Sequence, residues 1–199
     1  PEVWLEVYRD LGPTIDDLEL TFFEAATLLA FELFRREGVQ RAVFEVGLGG
    51  RLDATNILEP MASVITSIDF DHMQYLGNDL ASIAREKLGI ARTGVPLFMR
   101  TTEQPEVREQ ARTVSSTVGA HLCWVDPARA LDIHCGPDIT TFRYRDEQFR
   151  TGLGGHYQVD NALLAIEALL SAGIRDLSVI RDGIAHARLP GRFQVTRLR

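Results

Sequence analysis

Residues 44–56 read FEVGLGGRLDATN, with a carboxylate at position 45 among apolar residues. Together with the apolar residues before it, the stretch predicts a short parallel strand at 42–46 that is covered on both faces. Glu45 is the exception in that strand, because a buried ionised carboxylate costs several kcal/mol unless it is paired, hydrogen-bonded or bound to a cation. A glycine-rich polar loop follows at once. The stretch therefore predicts a functional site at the end of a strand.

Residues 63–68 (SVITSI) repeat this arrangement, because an apolar, β-branched run leads on to Asp71 and His72. Ligands of open parallel sheets bind beyond the carboxyl ends of the strands, so Glu45 and His72 are predicted to face one crevice. An oxygen-rich donor set of this kind suits Mg²⁺, which shares its coordination with substrate phosphates. Each residue also has an ordinary explanation: Glu45 paired with Arg51, and His72 as a loop histidine that caps a helix.

Strand and helix patterns alternate along most of the chain, which is typical of an α/β fold with a doubly wound, mostly parallel sheet flanked by helices. The strands are predicted at 42–46, 63–68, 95–99 and 121–125, and the helices at 21–36, 79–91, 104–118, 158–172 and 177–187. Thr21 and Glu24 fit a capping box at the start of the first helix. Shorter strand patterns at 131–135, 140–145 and 148–151 predict a small antiparallel β patch.

In this order, the segments closely resemble the folylpolyglutamate synthase and dihydrofolate synthase family, a branch of the Mur ligase group. The resemblance runs from about Leu20 to Val195. Its most specific parts are the loop at 44–56 and the helix motif REKLGI at 85–90, whereas the PGR run at 190–192 alone would be weak. The resemblance implies a Mur ligase central domain, which is P-loop NTPase-like in fold.

The resemblance also implies an activity: ATP converts a folate or dihydropteroate carboxylate into an acyl phosphate, which the amine of L-glutamate attacks. The implied ligands of Mg²⁺ are Glu45 and His72. Further residues match positions at which the family binds its substrates or carries a carbamylated lysine. These are Lys87 for the carbamate near the second metal, Asn161 and Arg192 for ATP, and Leu52, Asp53 and Ala54 within the 48–54 loop near the pterin.

One departure from the family concerns its phosphate loop, since no Gly-x-x-x-x-Gly-Lys-Ser/Thr run occurs in this sequence. We therefore expect residues 1–199 to be the central ATP-binding domain of a longer ligase, without its amino-terminal phosphate loop and carboxy-terminal glutamate-binding domain, and inactive alone. Two alternatives stay open. One is a nonenzymatic nucleotide-binding module; the other is a Mur-type ligase acting on a nucleotide-linked cell-wall precursor, against which the 48–54 loop speaks.

Composition narrows the class of protein further. The formal net charge of −7 argues against a general nucleic-acid-binding surface, which needs basic side chains to neutralise phosphates. No apolar run approaches the length of a membrane span. The two cysteines fit no zinc pattern and favour a reduced, cytoplasmic setting. The expected partners are small-molecule substrates, and the complete enzyme is expected to be a monomer.

Overall fold

The computed structural model describes residues 2–102, 104–136 and 139–189. Two compact units are distinguished by their internal contacts, Pro1–Leu58 and Glu59–Arg199. The first unit is helical in its regular structure, whereas the second contains both sheets. Across the described ranges, no helix is long and apolar enough to cross a membrane.

The first unit is built on two packed helices, α1 (Glu2–Asp17) and α2 (Phe22–Arg36). The sequence analysis predicted α2 but not α1. The predicted capping box is confirmed: the Thr21 hydroxyl accepts from the Glu24 amide, and a Glu24 carboxylate oxygen accepts from the Thr21 amide at 2.9 Å. The helix therefore begins where two of its first amides find side-chain acceptors.

The predicted strand at 42–46 is wrong, because residues 41–46 have no regular secondary structure. A strand exists through the backbone hydrogen bonds it exchanges with a neighbour, and the described part of the first unit contains no other strand. The segment is held instead by its side chains. The ring of Phe44 packs against Phe31 and Phe34 of α2, with centroids 4.9 and 5.6 Å away.

A three-stranded parallel sheet lies in the second unit, in the order β1-β2-β3. Its strands are β1 (Ser63–Ile65), β2 (Pro96–Arg100) and β3 (His121–Val125), joined through α3 (Met73–Leu76), α4 (Leu80–Leu88) and α5 (Pro105–Val118). Successive residues of β2 enter opposite cores. Leu97 and Met99 pack with α4 and α5, while Phe98 packs with the helix that follows the second sheet. The predicted sheet with helices on both faces is confirmed.

The predicted antiparallel patch is a three-stranded sheet in the order β4-β5-β6. Its strands are β4 (Leu131–Cys135), β5 (Thr140–Tyr144) and β6 (Glu147–Thr151), and two helices follow, α6 (His156–Ser171) and α7 (Leu177–His186). Helix α6 contacts all three strands of the parallel sheet and also β5, whereas α7 packs on β6. Buried α6 residues such as Leu163 and Ile166 therefore share one core with both sheets.

The turn between β5 and β6 places Arg145 and Asp146 at φ +51° and +63°, although neither is glycine. This backbone conformation is unfavourable for ordinary residues. Arg145 forms a bidentate ion pair with Glu167 of α6, with Nε–Oε1 at 2.8 Å and Nη2–Oε2 at 2.9 Å, and this pair helps to offset the cost of the backbone conformation. The Tyr144 hydroxyl donates to the same carboxylate at 2.7 Å, so the turn is attached to α6.

Helix α4 begins as predicted but ends earlier. Asp79 caps it, accepting from the Ser82 amide at 2.8 Å. The prediction extended the helix to Ala91, whereas it ends at Leu88 with Gly89 as its carboxyl cap. The apolar residues that suggested a longer helix belong to the turn before β2, where Ala91 is buried.

Candidate functional site

Asp53 organises the glycine-rich loop of the first unit. One of its carboxylate oxygens accepts from the amides of Gly47 and Leu48, at 2.9 and 3.2 Å, and the other accepts from the Thr55 amide and hydroxyl, at 2.9 and 2.6 Å. Partial burial acts to raise the pKa of Asp53, but these hydrogen bonds outweigh it and hold the pKa below its ordinary value. The carboxylate therefore fixes the shape of the loop.

The predicted substrate residues Leu52, Asp53 and Ala54 differ in what they present to solvent. Leu52 is 79% exposed, and Ala54 is half-buried at the start of a short 3₁₀ helix, Ala54–Ile57. Asp53 already uses both oxygens within the loop. Because of this, the geometry suits Leu52 for contact with an apolar ligand and suits Asp53 for holding the loop that presents it.

Glu45 lies just before this loop and is exposed, as is Val43, which is 96% exposed. Its neighbours Phe44 and Val46 are partly buried, so exposure alternates along the segment as in an extended chain. The expectation that Glu45 is a buried carboxylate is therefore wrong, and no desolvation cost arises in this structure.

His72 is the residue that precedes α3, and its backbone is left-handed, with φ +49°. It occupies the capping position, but its imidazole makes no capping hydrogen bond. The side chain is 54% exposed, with Nε2 lying 3.6 Å from Oδ2 of Asp71. A neighbouring carboxylate of this kind can orient an imidazole that binds a metal.

Glu45 belongs to the first unit and His72 to the second, so the Mg²⁺ site that they are predicted to share stays a prediction. The described residues contain no group of three or more histidine, cysteine, aspartate or glutamate side chains able to hold a metal ion. The carboxylate of Glu45 fits Mg²⁺, which is commonly bound in nucleotide sites by one or two carboxylates, water and phosphate oxygens. The imidazole of His72 is a less usual ligand for this ion.

Lys87 lies in the last turn of α4, next to the fully buried Leu88. Its side chain is half-buried, unlike that of Arg85 on the same helix, which is exposed. The position is thus less open than that of an ordinary solvated helix lysine. The predicted role of Lys87 as a carbamylated residue stays a prediction.

Asn161 lies in the second turn of α6, where its side-chain amide donates to Oε1 of Gln158 at 3.2 Å. Gln158 is buried at 7% exposure, and Asn161 is half-buried. The pair places polar amide groups near the amino terminus of the helix. Arg192, the other residue predicted to contact ATP, lies outside the described residues.

The carboxyl ends of β1 and β2 border a small, open cleft. Its lining residues include the polar residues Thr66, Ser67, Arg100 and Thr102. Arg100 also forms an ion pair with Asp160 of α6, with Nη1–Oδ2 at 2.7 Å. Sequence reasoning missed both members of this pair. The signal was present, since Arg100 is the charged residue that ends an apolar strand and Asp160 directly precedes Asn161.

A comparison with protein-family models matches the Mur ligase middle domain over residues 11–169. The chain therefore belongs to the Mur ligase middle-domain family. Within it, the chain is similar to the dihydrofolate synthase/folylpolyglutamate synthase of Escherichia coli (strain K12). The two are 37% identical over 196 residues, which cover 94% of this chain and 44% of that relative. The resemblance that the loop and helix motifs indicated is confirmed.

Solved structures agree with this assignment. Escherichia coli FolC in complex with ADP superposes with a TM-score of 0.77 at 33% identity, covering 98% of this chain and 46% of that one. An FPGS–AMPPCP–folate complex gives a TM-score of 0.83 at 26% identity, covering 94% of this chain and 50% of that one. The chain thus spans about half the length of the relatives that it matches.

Proposed function

We propose that the complete protein is an ATP-dependent ligase that adds L-glutamate to a folate or dihydropteroate carboxylate. The observation that carries the proposal is the extended similarity to a dihydrofolate synthase/folylpolyglutamate synthase, 37% identical over 196 residues. ADP and AMPPCP are bound by solved relatives of the same fold, and one of these also binds folate. The loop shaped by Asp53 offers an exposed apolar side chain, Leu52, for a flat aromatic substrate.

The reaction has two steps. First, a carboxylate oxygen of the folate attacks the terminal phosphorus of ATP, a phosphorus–oxygen bond forms, and ADP leaves with the electrons of the broken bond. The glutamate amine then attacks the acyl carbon, inorganic phosphate leaves, and the new amide nitrogen loses a proton. Both steps handle concentrated negative charge, so positioning and electrostatic stabilisation are the main tasks of the protein.

In this proposal, the carboxylate of Glu45 and the neutral imidazole of His72 hold Mg²⁺. The ion, when bound, neutralises the phosphate oxygens and favours in-line transfer. The carboxylate of Asp71 lies beside the ring of His72, with Oδ2 3.6 Å from Nε2. Histidine binds a metal only when its imidazole is neutral.

The remaining residues position the reactants. Asn161 contacts the nucleotide base and Arg192 the phosphates. Lys87 carries a carbamate, which converts a cation into an anion that serves the metal site. Leu52, Asp53 and Ala54 lie near the pterin-bearing substrate, in a loop whose shape the Asp53 carboxylate holds.

The two alternatives make different predictions for activity. A Mur-type ligase for nucleotide-linked cell-wall precursors would use such a precursor and not dihydropteroate, while a nonenzymatic module would bind ATP without turnover. The experiment is an assay of the complete coding sequence for amino-acid-dependent ADP release. Its arms contain dihydropteroate, a reduced folate or a nucleotide-linked peptide precursor, each with and without L-glutamate.

We expect ADP release with a folate-type acceptor and L-glutamate together, and none when either is omitted. ADP release only with the nucleotide-linked precursor would show that the protein is instead a Mur-type ligase for cell-wall precursors. ATP binding without release in any arm would establish the nonenzymatic module. The arms with dihydropteroate and reduced folate also distinguish synthesis of dihydrofolate from extension of polyglutamate.

We also propose that the 199-residue chain is inactive alone and that the complete protein is a cytoplasmic monomer. The 199 residues alone do not form the glutamate amide, because they span about half the length of enzymes that are named for it. The protein acts in the cytoplasm as a monomer, and both of its cysteines are free thiols in the structure. Glutamate incorporation by the purified 199-residue chain, with saturating ATP, Mg²⁺ and both acceptors, would contradict the first statement.

A further inference from the structure

We propose that Arg100 and Asp160 are positioning residues for the nucleotide, holding the first turns of α6 against the ligand-binding edge of the parallel sheet. This inference rests on the proposed function. Arg100 is the last residue of β2, and Asp160 directly precedes Asn161 on α6. Their ion pair, Nη1–Oδ2 at 2.7 Å, joins the two elements at that edge.

The location of the pair indicates its role. Arg100 lines the cleft at the carboxyl ends of β1 and β2, and ligands of parallel α/β sheets bind at such ends. The backbone supports Arg100 from the other side, since Arg100 lies opposite Val125 of β3, whose carbonyl accepts from the Thr101 amide at 2.9 Å. The guanidinium group is thus attached to a rigid strand end, from which it fixes Asp160.

The far half of α6 provides a contrast. Glu167 lies seven residues after Asp160, about 10 Å along the helix axis. Its partner is Arg145, which lies in the turn between β5 and β6 of the antiparallel sheet. Among the described residues, helix α6 is therefore attached by the Arg100–Asp160 pair to the end of β2 and by the Arg145–Glu167 pair to the β5–β6 turn. Of these two pairs, the first lies at the edge where the nucleotide is proposed to bind.

The exposure of the Arg100 and Asp160 side chains indicates that their ion pair affects the position of α6 more than the stability of the fold. The side chains of Arg100 and Asp160 are 42% and 20% exposed, so solvent screens their attraction and the pair adds little to global stability. Orientation is more sensitive, because small displacements of a binding group from the productive geometry lower affinity and rate strongly. Asn161, next to Asp160, moves with the first turns of the helix.

The test uses the complete protein and the variant Asp160→Asn, which removes the charge while keeping the shape of the side chain. We expect the KM for ATP to rise about tenfold, within the hundredfold that remote misplacements can cost, while kcat and the melting temperature change little. Glu167→Gln is the matched control. It weakens the other ion pair of α6, whose side chains are 43% and 16% exposed, and the hydrogen bond from the Tyr144 hydroxyl. We expect an unchanged KM for ATP and at most a small fall in melting temperature.

A rescue experiment completes the test. Exchanging the charges, with Arg100→Asp and Asp160→Arg in one chain, should recover part of the lost ATP affinity. An unchanged KM for ATP in Asp160→Asn, or equal effects of Asp160→Asn and Glu167→Gln on it, would overturn the inference. If the wild-type protein releases no ADP with glutamate and any acceptor, the proposed function fails instead. Equilibrium binding of Mg²⁺-ATP to the same variants then tests the positioning pair on its own.

Discussion

A Cβ atom on Gly47 would lie 2.7 Å from Cζ of Phe23, so the ring on α2 covers the start of the glycine-rich loop only because residue 47 has no side chain. Gly47→Ala must push the ring aside, and we expect a loss of about 1 kcal/mol in the free energy of unfolding. This loss can be measured by urea unfolding followed by Trp4 fluorescence. A Trp124→Phe background removes the second of the two tryptophans.

The control for Gly47→Ala is the same substitution in a Phe23→Ala chain, where the ring is absent. The loss should then shrink by at least about 0.5 kcal/mol, the coupling typical of residues in contact. Equal losses in both backgrounds would show that the close approach has no energetic consequence.

Asp53→Ala should destabilise the first unit by about 1 to 2 kcal/mol, because it removes a helix cap and further acceptors of loop amides. Asp126 is a suitable control, since it caps another 3₁₀ helix, Pro127–Arg129, through a hydrogen bond from the Ala128 amide. Asp126→Ala should cost less when urea unfolding of both variants is followed by circular dichroism. A larger cost for Asp126→Ala would contradict the organising role of Asp53.

The stabilisation by Asp53 should also depend on pH. The pKa of Asp53 is lowered in the folded state, so its contribution is complete above the unfolded-state pKa of about 4 and is lost as the pH falls through the folded pKa. The difference in unfolding free energy between wild type and Asp53→Asn should therefore be constant near neutral pH and shrink below about pH 4. If the difference in unfolding free energy grows on acidification, the pKa of Asp53 is not lowered in the folded state.

Tyr144 should be the last tyrosine to ionise. Burial raises the pKa of its phenol, and the hydrogen bond to Glu167 raises it further, to about 12. The folded state therefore gains stability from Tyr144 below its unfolded-state pKa and loses it as the pH approaches 12. Phenolate absorbance should show a late step that Tyr144→Phe removes and that Tyr157→Phe, a substitution of an exposed tyrosine, retains. If the late absorbance step survives Tyr144→Phe, the tyrosine with the raised pKa is not Tyr144.

In the complete enzyme, Glu45→Gln and His72→Ala should each reduce kcat about a hundredfold, or about 3 kcal/mol, by removing a ligand from the ion that stabilises phosphoryl transfer. Circular dichroism should show an unchanged fold, since both side chains are exposed. The exposed Glu37 gives a control of equal charge, and Glu37→Gln should leave kcat unchanged. Near-wild-type activity in both test variants would mean that the metal lies elsewhere.

Lys87→Ala in the complete enzyme should abolish most glutamate ligation, and acetate or formate should partly restore it by occupying the vacated anion position. Arg85→Ala, on the same helix but exposed, should alter stability by no more than about 0.5 kcal/mol and keep its activity. Full activity of Lys87→Ala in bicarbonate-free buffer would exclude a required carbamate.

Sequence patterns predicted most of the second unit because its strands and helices carry complete local signals. Residues 121–125 form a strand with the predicted bounds, and Asp79 caps the predicted helix. The run at 42–46 carried an equally clear apolar pattern, yet it forms no strand. An apolar pattern indicates which residues can be buried, whereas a strand also needs a neighbouring backbone, which the local sequence does not encode.

In the candidate site too, local features could be predicted from the sequence, whereas contacts between distant residues could not. The pattern around residues 44–56 correctly singled out a loop with its own organisation, but it did not reveal that both carboxylate oxygens of Asp53 accept hydrogen bonds within that loop. The substrate contact expected of Asp53 stays a prediction. The Arg100–Asp160 pair was missed because its members lie sixty positions apart. Only the packing of α6 against β2 brings them together.

The order of strands in the parallel sheet has a consequence for synthesis on the ribosome. Because β1, β2 and β3 lie side by side in chain order, each strand can add to the one made before it as the chain emerges. Helix α6 is made much later, although it covers the face of the sheet that includes Phe98. A nascent chain stalled before α6 thus carries an uncovered apolar sheet face, and chaperones should bind it at that stage of translation.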